Sequence, residues 1–230
     1  MPSGAWIQAQ VWDDLLFAHW PIAADVMRRL VPAVLDLDLY DGQAWVGIVP
    51  FGISGLHLRY LPSIPGLAAF PEINVRTYVT VGGKPGVYFF SLDVTNPLAV
   101  LAARVWYRLP YFQARMSHTR EGEWEQYSSQ RLHGNAEFVG RYRPIGQVTL
   151  PVPGTHEHWL TERYCLYAVD SGNRVFRGEI HHAAWPLQPA EAHIEQNTMA
   201  QSASLELPAI APLLHFSRRQ EVIIWPPVRV

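Results

Sequence analysis

The chain has 230 residues, a formal net charge of −2 and a single cysteine, Cys165. Its basic residues are scattered, so no basic stripe marks a nucleic-acid surface, and a lone cysteine excludes an intrachain disulfide and fits a reducing compartment. Hydrophobic residues make up 49% and charged residues 17%, a globular balance. The opening "MPSGAWIQAQVWDD" lacks a basic stretch followed by an apolar one, and Pro, Asp, Arg or Gly interrupt every apolar run before it reaches a membrane-spanning length. The expectation is a cytoplasmic protein with neither nucleic acid nor membrane as partner, folded as one domain over residues 1–230.

In chain order, residues 21–31 ("PIAADVMRRLV") predict a short helix with Ala23, Val26 and Leu30 as an apolar stripe, ended by Pro32. Asp41-Gly42 lies between two strand-like runs, a hairpin signal. Residues 60–71 are too rich in proline for regular structure and read as a loop over the sheet. "EINVRTYVTV" then alternates, with Ile73, Val75, Thr77 and Val79 on one face and Glu72, Asn74, Arg76 and Tyr78 on the other. "GGKPG" is a turn and "VYFFSLDV" the returning strand. Asn96 caps a helix from Pro97 to Tyr107, with proline in the first turn where its missing N–H is harmless. Residues 111–118 and 123–131 form a hairpin around "TREGE", and "AEFVGRYRP" is another strand. Thr155 caps a helical turn through "HEHWLTER". A further hairpin runs from "YCLYAV" to "FRGEIHH", and "RRQEVIIWPPV" is the last strand. Many antiparallel strands with two or three short helices make an α+β fold, and closure of the sheet would remove exposed edges.

The polar face of Glu72, Asn74, Arg76 and Tyr78 is the most informative local feature. Such a face either meets water on an open sheet or lines a cavity. In a cavity Arg76 would hold an anion through its two-pronged guanidinium and Glu72 would act as acid or base. Glu162 and Arg163 form a second polar cluster, which taken alone reads as a surface ion pair at a helix end and, beside a pocket, as further ligand contacts. No metal site is expected. His181 and His182 are adjacent on a strand and diverge, and His156 and His158 lack the i, i+4 spacing of a helical zinc motif. No phosphate-binding loop, dinucleotide fingerprint or serine nucleophile elbow occurs, so no cofactor is expected. Cys165 sits within an apolar strand and reads as an inert core thiol.

In order, the segments "LLFAHWPI", "DGQAWVGIVPF", "FPEINVRTYV", "GVYFFSLDV", "ARVWYRLPYFQARM", "LTERYCLY" and "HHAAWPLQPA" resemble the YqjF-like family of uncharacterised bacterial proteins, from about residue 10 to residue 226. The resemblance implies an acetoacetate decarboxylase-like fold: a curved, cone-like antiparallel β structure around a central pocket with a few flanking helices. The decarboxylases form a Schiff base on a lysine that follows a glycine–aromatic–proline stretch. The similar segment here is "YRLPYFQA", which puts Tyr111 and Phe112 at the lysine positions. The sole lysine, Lys84, lies in the turn "GGKPG". The family's pocket glutamate matches Glu72.

Together these features imply a pocket without the Schiff-base nucleophile, and so not a Schiff-base decarboxylase. Two functions remain open. One is a binding domain for a small anionic or carbonyl metabolite, anchored by Arg76, with Glu72, Asn74, Tyr78, Tyr111, His118, Glu162 and Arg163 as candidate site residues. The other is an acid–base enzyme for enolisation, hydration or hydrolysis, with Glu72 as base and Tyr111 or His118 as its partner. A homo-oligomer is also open, since "WYRLPYF" reads either as pocket wall or as dimer face.

Overall fold

The computed structural model describes residues 2–62 and 68–230. The elements, in order, are β1 (Gln8–Ile22), α1 (Ala24–Leu30), β2 (Asp36–Leu37), β3 (Ala44–Leu58), β4 (Phe70–Val81), β5 (Lys84–Val94) and α2 (Pro97–Trp106). They continue with β6 (Tyr111–Glu121), β7 (Trp124–Arg131), β8 (Glu137–Pro144), α3 (His156–Thr161), β9 (Cys165–Val169), β10 (Val175–His182), β11 (Gln188–Asn197), β12 (Leu213–Ile224) and β13 (Val228–Arg229). None of the described helices is long and apolar enough to cross a membrane.

Local chemistry accounts for the boundaries. Gly82 and Gly83 both have positive φ (58° and 77°), the two-residue turn that joins β4 to β5 without splaying them. The Asn96 side chain accepts from the backbone N–H groups of Leu98 and Ala99 at 2.8 and 3.3 Å and starts α2. Thr155 caps α3 in the same way. Asp41-Gly42 is also a tight turn, but it closes only one bridge, Tyr40 to Gln43. The run before it pairs elsewhere: β2 joins β4 through Asp36 and Thr80. The first helix starts later than its sequence suggests, because Pro21 and Ile22 complete β1, and its buried residue is Met27. Of the expected loop over residues 60–71, positions 63–67 lie outside the described residues, and Phe70 and Pro71 already belong to β4.

The sheet closes on itself twice. β12, β1, β3, β4 and β5 form one continuous wall. β5 then forks: Val87 and Tyr88 pair with β9, whereas Leu92–Val94 pair with β6. β12 forks in the same manner, pairing with β10 near Ile224 and with β11 near Phe216. One ring therefore closes through β9 and β10, and a larger one closes through β6, β7, β8 and β11. Ring closure satisfies backbone donors that an open edge would expose.

The wall is buried on both faces. In β4, Ile73, Val75 and Val79 pack in one core with Tyr127, Phe138 and Phe216, on the side of the larger ring. On the opposite side, Phe89 and Leu92 of β5 join Leu166 and Ile224 in the core of the smaller ring. The alternation in β4 thus separates a packed core from a second, incompletely filled interior.

Candidate functional site

That second interior holds a cavity of about 360 Å³, bordered by β1, β3, β4, β5, β9, β10, β12 and one side of α2 from Leu98 to Trp106. Glu72, Asn74 and Arg76 project into it from alternate positions of β4 and are 4%, 5% and 8% exposed. Tyr111, at the start of β6, reaches the same space because β6 runs parallel to β5 there, with Leu92 opposite Tyr111. Its hydroxyl donates to Glu72 Oε2 at 3.0 Å.

Burial dominates the chemistry of Glu72. It pushes the carboxyl pKa up to about 8, outweighing the hydrogen bonds from Tyr111 and Asn74, which favour ionisation. At neutral pH Glu72 is therefore mostly the neutral acid, a proton donor. The base role expected from sequence is open to it only above that pKa. The Tyr111 hydroxyl is itself held well above its usual value, first by burial and then by Glu72.

Arg76 is the cavity's deep cation. Its guanidinium lies 3.4 Å from both the Tyr78 hydroxyl and the Leu160 carbonyl, and 5.2 Å above the Phe17 ring. Among the described residues no carboxylate lies within ion-pair distance of it, and its Nε has no hydrogen-bond partner. Asn74 Oδ1 is likewise buried without a partner. Tyr78 is fully buried behind Arg76, where its hydroxyl meets His19 Nε2 at 2.6 Å. Burial and the Arg76 charge hold His19 well below its usual pKa, so it does not add a second positive charge.

The remaining sequence candidates lie outside the cavity. His118 sits against Glu125, with Nε2 3.5 Å from a carboxylate oxygen and its ring 5.0 Å from Tyr127. Asp14, His118 and Glu125 present ligand atoms within 4.8 Å of one another, a spacing that suits a cation. Arg120 and Arg218 already bond both carboxylates and supply the positive charge a cation would bring, so the cluster reads as an ion-pair network. Arg163 is consumed by Asp38 and by the Trp159 carbonyl, tying α3 to the segment after β2. Glu162 accepts from the Trp185 backbone N–H at 2.8 Å. Lys84 begins β5 rather than sitting in the bare turn, and its amine pairs with Glu179 at 2.6 Å. Phe112 turns away from the cavity to stack on Arg131 at 3.9 Å.

Gln8, Gln10 and Trp12 line the cavity from β1 and escaped the sequence reading. Their spacing of two in "QAQVW" carries the signal, since alternate residues of a strand share a face.

Over residues 9–221 the chain matches DUF2071, described as an uncharacterized conserved protein. It belongs to the DUF2071 family. It is also 48% identical over 227 residues to the uncharacterized protein YqjF of Bacillus subtilis, covering 98% of this chain and 93% of that one. Among solved structures, this DUF2071 chain resembles the enduracididine biosynthesis enzyme MppR complexed with pyruvate (TM-score 0.66, 10% identity, 100% of this chain and 91% of that one). It also resembles an acetoacetate decarboxylase-like enzyme from Sphingomonas wittichii (TM-score 0.65, 14% identity, 99% and 94%). The acetoacetate decarboxylase of Legionella pneumophila is similar at TM-score 0.63, 11% identity, 100% and 92%. At these identities the likeness establishes an acetoacetate decarboxylase-like fold for the DUF2071 chain.

Proposed function

We propose that this DUF2071 protein binds a small molecule bearing an anionic group, with Arg76 as the anchor, Asn74 beside it, and neutral Glu72 with Tyr111 as hydrogen-bond partners for a carbonyl or hydroxyl oxygen. The observation that carries this reading is the burial of Arg76 in a cavity with no carboxylate to balance it among the described residues. A buried guanidinium without a counter-charge is costly, and an anionic ligand supplies that charge. The pyruvate in MppR supports the reading by analogy of fold only. The same reading takes the chain as one domain over residues 1–230, acting in the cytoplasm.

The test is thermal unfolding at pH 7 in the presence of small carboxylates. A ligand that binds only the folded state raises the midpoint by mass action. Wild type should show the rise and Arg76→Met should lose it while remaining folded. A rise that survives in Arg76→Met overturns the anchor.

The Glu72–Tyr111 pair favours a second reading, an acid–base enzyme that works without a covalent imine. A buried acid with a pKa of about 8 is suited to protonate a substrate oxygen or carbon. Lysine chemistry is disfavoured, because Lys84 is paired with Glu179 and lies outside the cavity lining. Turnover of a carbonyl or ester substrate that is lost in Glu72→Gln, with binding retained, would favour the enzyme. Tight binding without turnover would favour the binding domain.

A further inference from the structure

The polar groups account for only a small part of the cavity. Beyond Glu72, Asn74, Arg76 and Tyr111, its wall is largely apolar, with Phe51, Phe89, Leu92, Leu166 and Ile224 among the buried side chains. The register of the wall gives the cavity a direction. Arg76 lies opposite Gly47 of β3 and Glu72 opposite Phe51, so the path from Arg76 past Glu72 leads toward the end of β3 and the start of α2. The two residues are four positions apart on the strand, a rise of roughly 13 Å. At the far end, Leu61, Leu98 and Trp106 border the cavity and are 54%, 64% and 55% exposed, so the opening itself is apolar.

Volume points the same way. A cavity of 360 Å³ is about a dozen water volumes at roughly 30 Å³ each. A keto acid as small as pyruvate, with the bulk of roughly four waters, would fill only about a third of that space and leave much of the apolar wall unsatisfied. Neutral Glu72 fits an apolar neighbour, whereas a buried carboxylate would not tolerate one.

The geometry points to an amphipathic carboxylate as the ligand: an anionic head on Arg76 and Asn74, and an apolar body of about eight to ten carbons running past Glu72 to the rim of α2. This inference rests on the reading of Arg76 as an anion anchor and adds the class of molecule that fills the remaining space. Ala103 of α2 lines the cavity at its outer end, where a larger side chain would shorten the space without touching the head site.

The test is calorimetric titration at pH 7 of wild type, Arg76→Met and Ala103→Trp with straight-chain saturated carboxylates from acetate to dodecanoate, all below their micellar concentrations, and with the matched alcohols. Each methylene that enters the cavity should tighten wild-type binding about fourfold, up to about ten carbons, after which affinity levels off. Ala103→Trp should move the break to shorter chains and leave butanoate unchanged. Arg76→Met should weaken every acid by a common factor and leave the alcohols unaffected. Arg76-dependent affinity that is flat with chain length, or greatest for acetate, overturns the amphipathic ligand and leaves the anion anchor standing. Acids that bind no better than alcohols, or no binding at any length, overturn both. The wild-type series decides the question even if Ala103→Trp fails to fold.

Discussion

Arg131 and Arg76 are buried to nearly the same degree, 7% and 8% exposed, yet their surroundings differ in kind. Arg131 makes two parallel bonds to Asp93, at 2.8 and 2.7 Å, and Phe112 covers its guanidinium. Every charge in that region is answered by another part of the chain. Arg76 has two long polar contacts, two aromatic faces and an open cavity in front of it. The first arrangement holds the fork of the sheet together, since Asp93 lies on β5 where that strand meets β6. The second leaves a charge for something from outside to answer.

The contrast is broken most severely by removing one half of the closed pair. Asp93→Ala strands the Arg131 charge inside the protein and should cost about 3–5 kcal/mol of folding stability, read from the denaturant midpoint. Replacing both partners by apolar residues of similar volume should recover most of that loss.

Glu72 tests the open region through pH. Its folded pKa, about 8, stands above its ordinary value of 4.5. The folded state therefore holds the proton more tightly than the unfolded state, and the stability this contributes is full below pH 4.5. It declines as pH rises from 4.5 to 8 and is gone above 8. Glu72→Gln cannot ionise, so its stability relative to wild type should grow across that window, reaching a few kcal/mol by pH 9. A difference that does not vary with pH would mean that Glu72 is solvated.

Arg76→Met sharpens the comparison from the other side. In the absence of ligand it should change stability by less than about 1 kcal/mol or raise it, because it removes an unbalanced buried charge. The same change at Arg131 should be strongly destabilising, and equal losses at the two sites would erase the distinction.

The smallest effect is expected at Lys84. Its side chain is 40% exposed, and a partly exposed ion pair is worth about 1 kcal/mol or less, so Lys84→Ala should barely move the midpoint. Incubation of wild type with pyruvate and borohydride should leave the intact mass unchanged.

Much of the open region was legible in the sequence because β4 alternates strictly, and a period of two survives whatever the strand packs against. The family resemblance brings Tyr111 and Glu72 to one pocket but leaves Tyr111 and His118 both open as the partner of Glu72, since 39 residues separate Tyr111 from Glu72 and no local pattern joins them. The partners of Arg163 and Glu162 are hidden in the sequence for the same physical reason. The partner of Arg163 is Asp38, 125 residues away, and ion pairs of that span leave no trace in local spacing. β1 was missed because "LLFAHW" is a continuous apolar run, buried throughout, in which alternation vanishes. The double closure was invisible too, since a fork in a strand depends on two distant partners.

The position of β12 has a consequence for how the protein is made. This strand, Leu213–Ile224, lies between β1 and the two branches of the sheet, and Ile224 pairs with both Gln8 and Ile180. A nascent chain that has not yet released residue 224 from the ribosome can form the β4–β5 hairpin and the β6–β7–β8 meander, but it has no closed interior. The first strand can pair with β3 early, but its other edge must wait for β12, a pairing of extreme sequence separation that is expected to fold slowly. A ligand for the cavity would therefore stabilise only finished molecules and would give half-synthesised ones no protection.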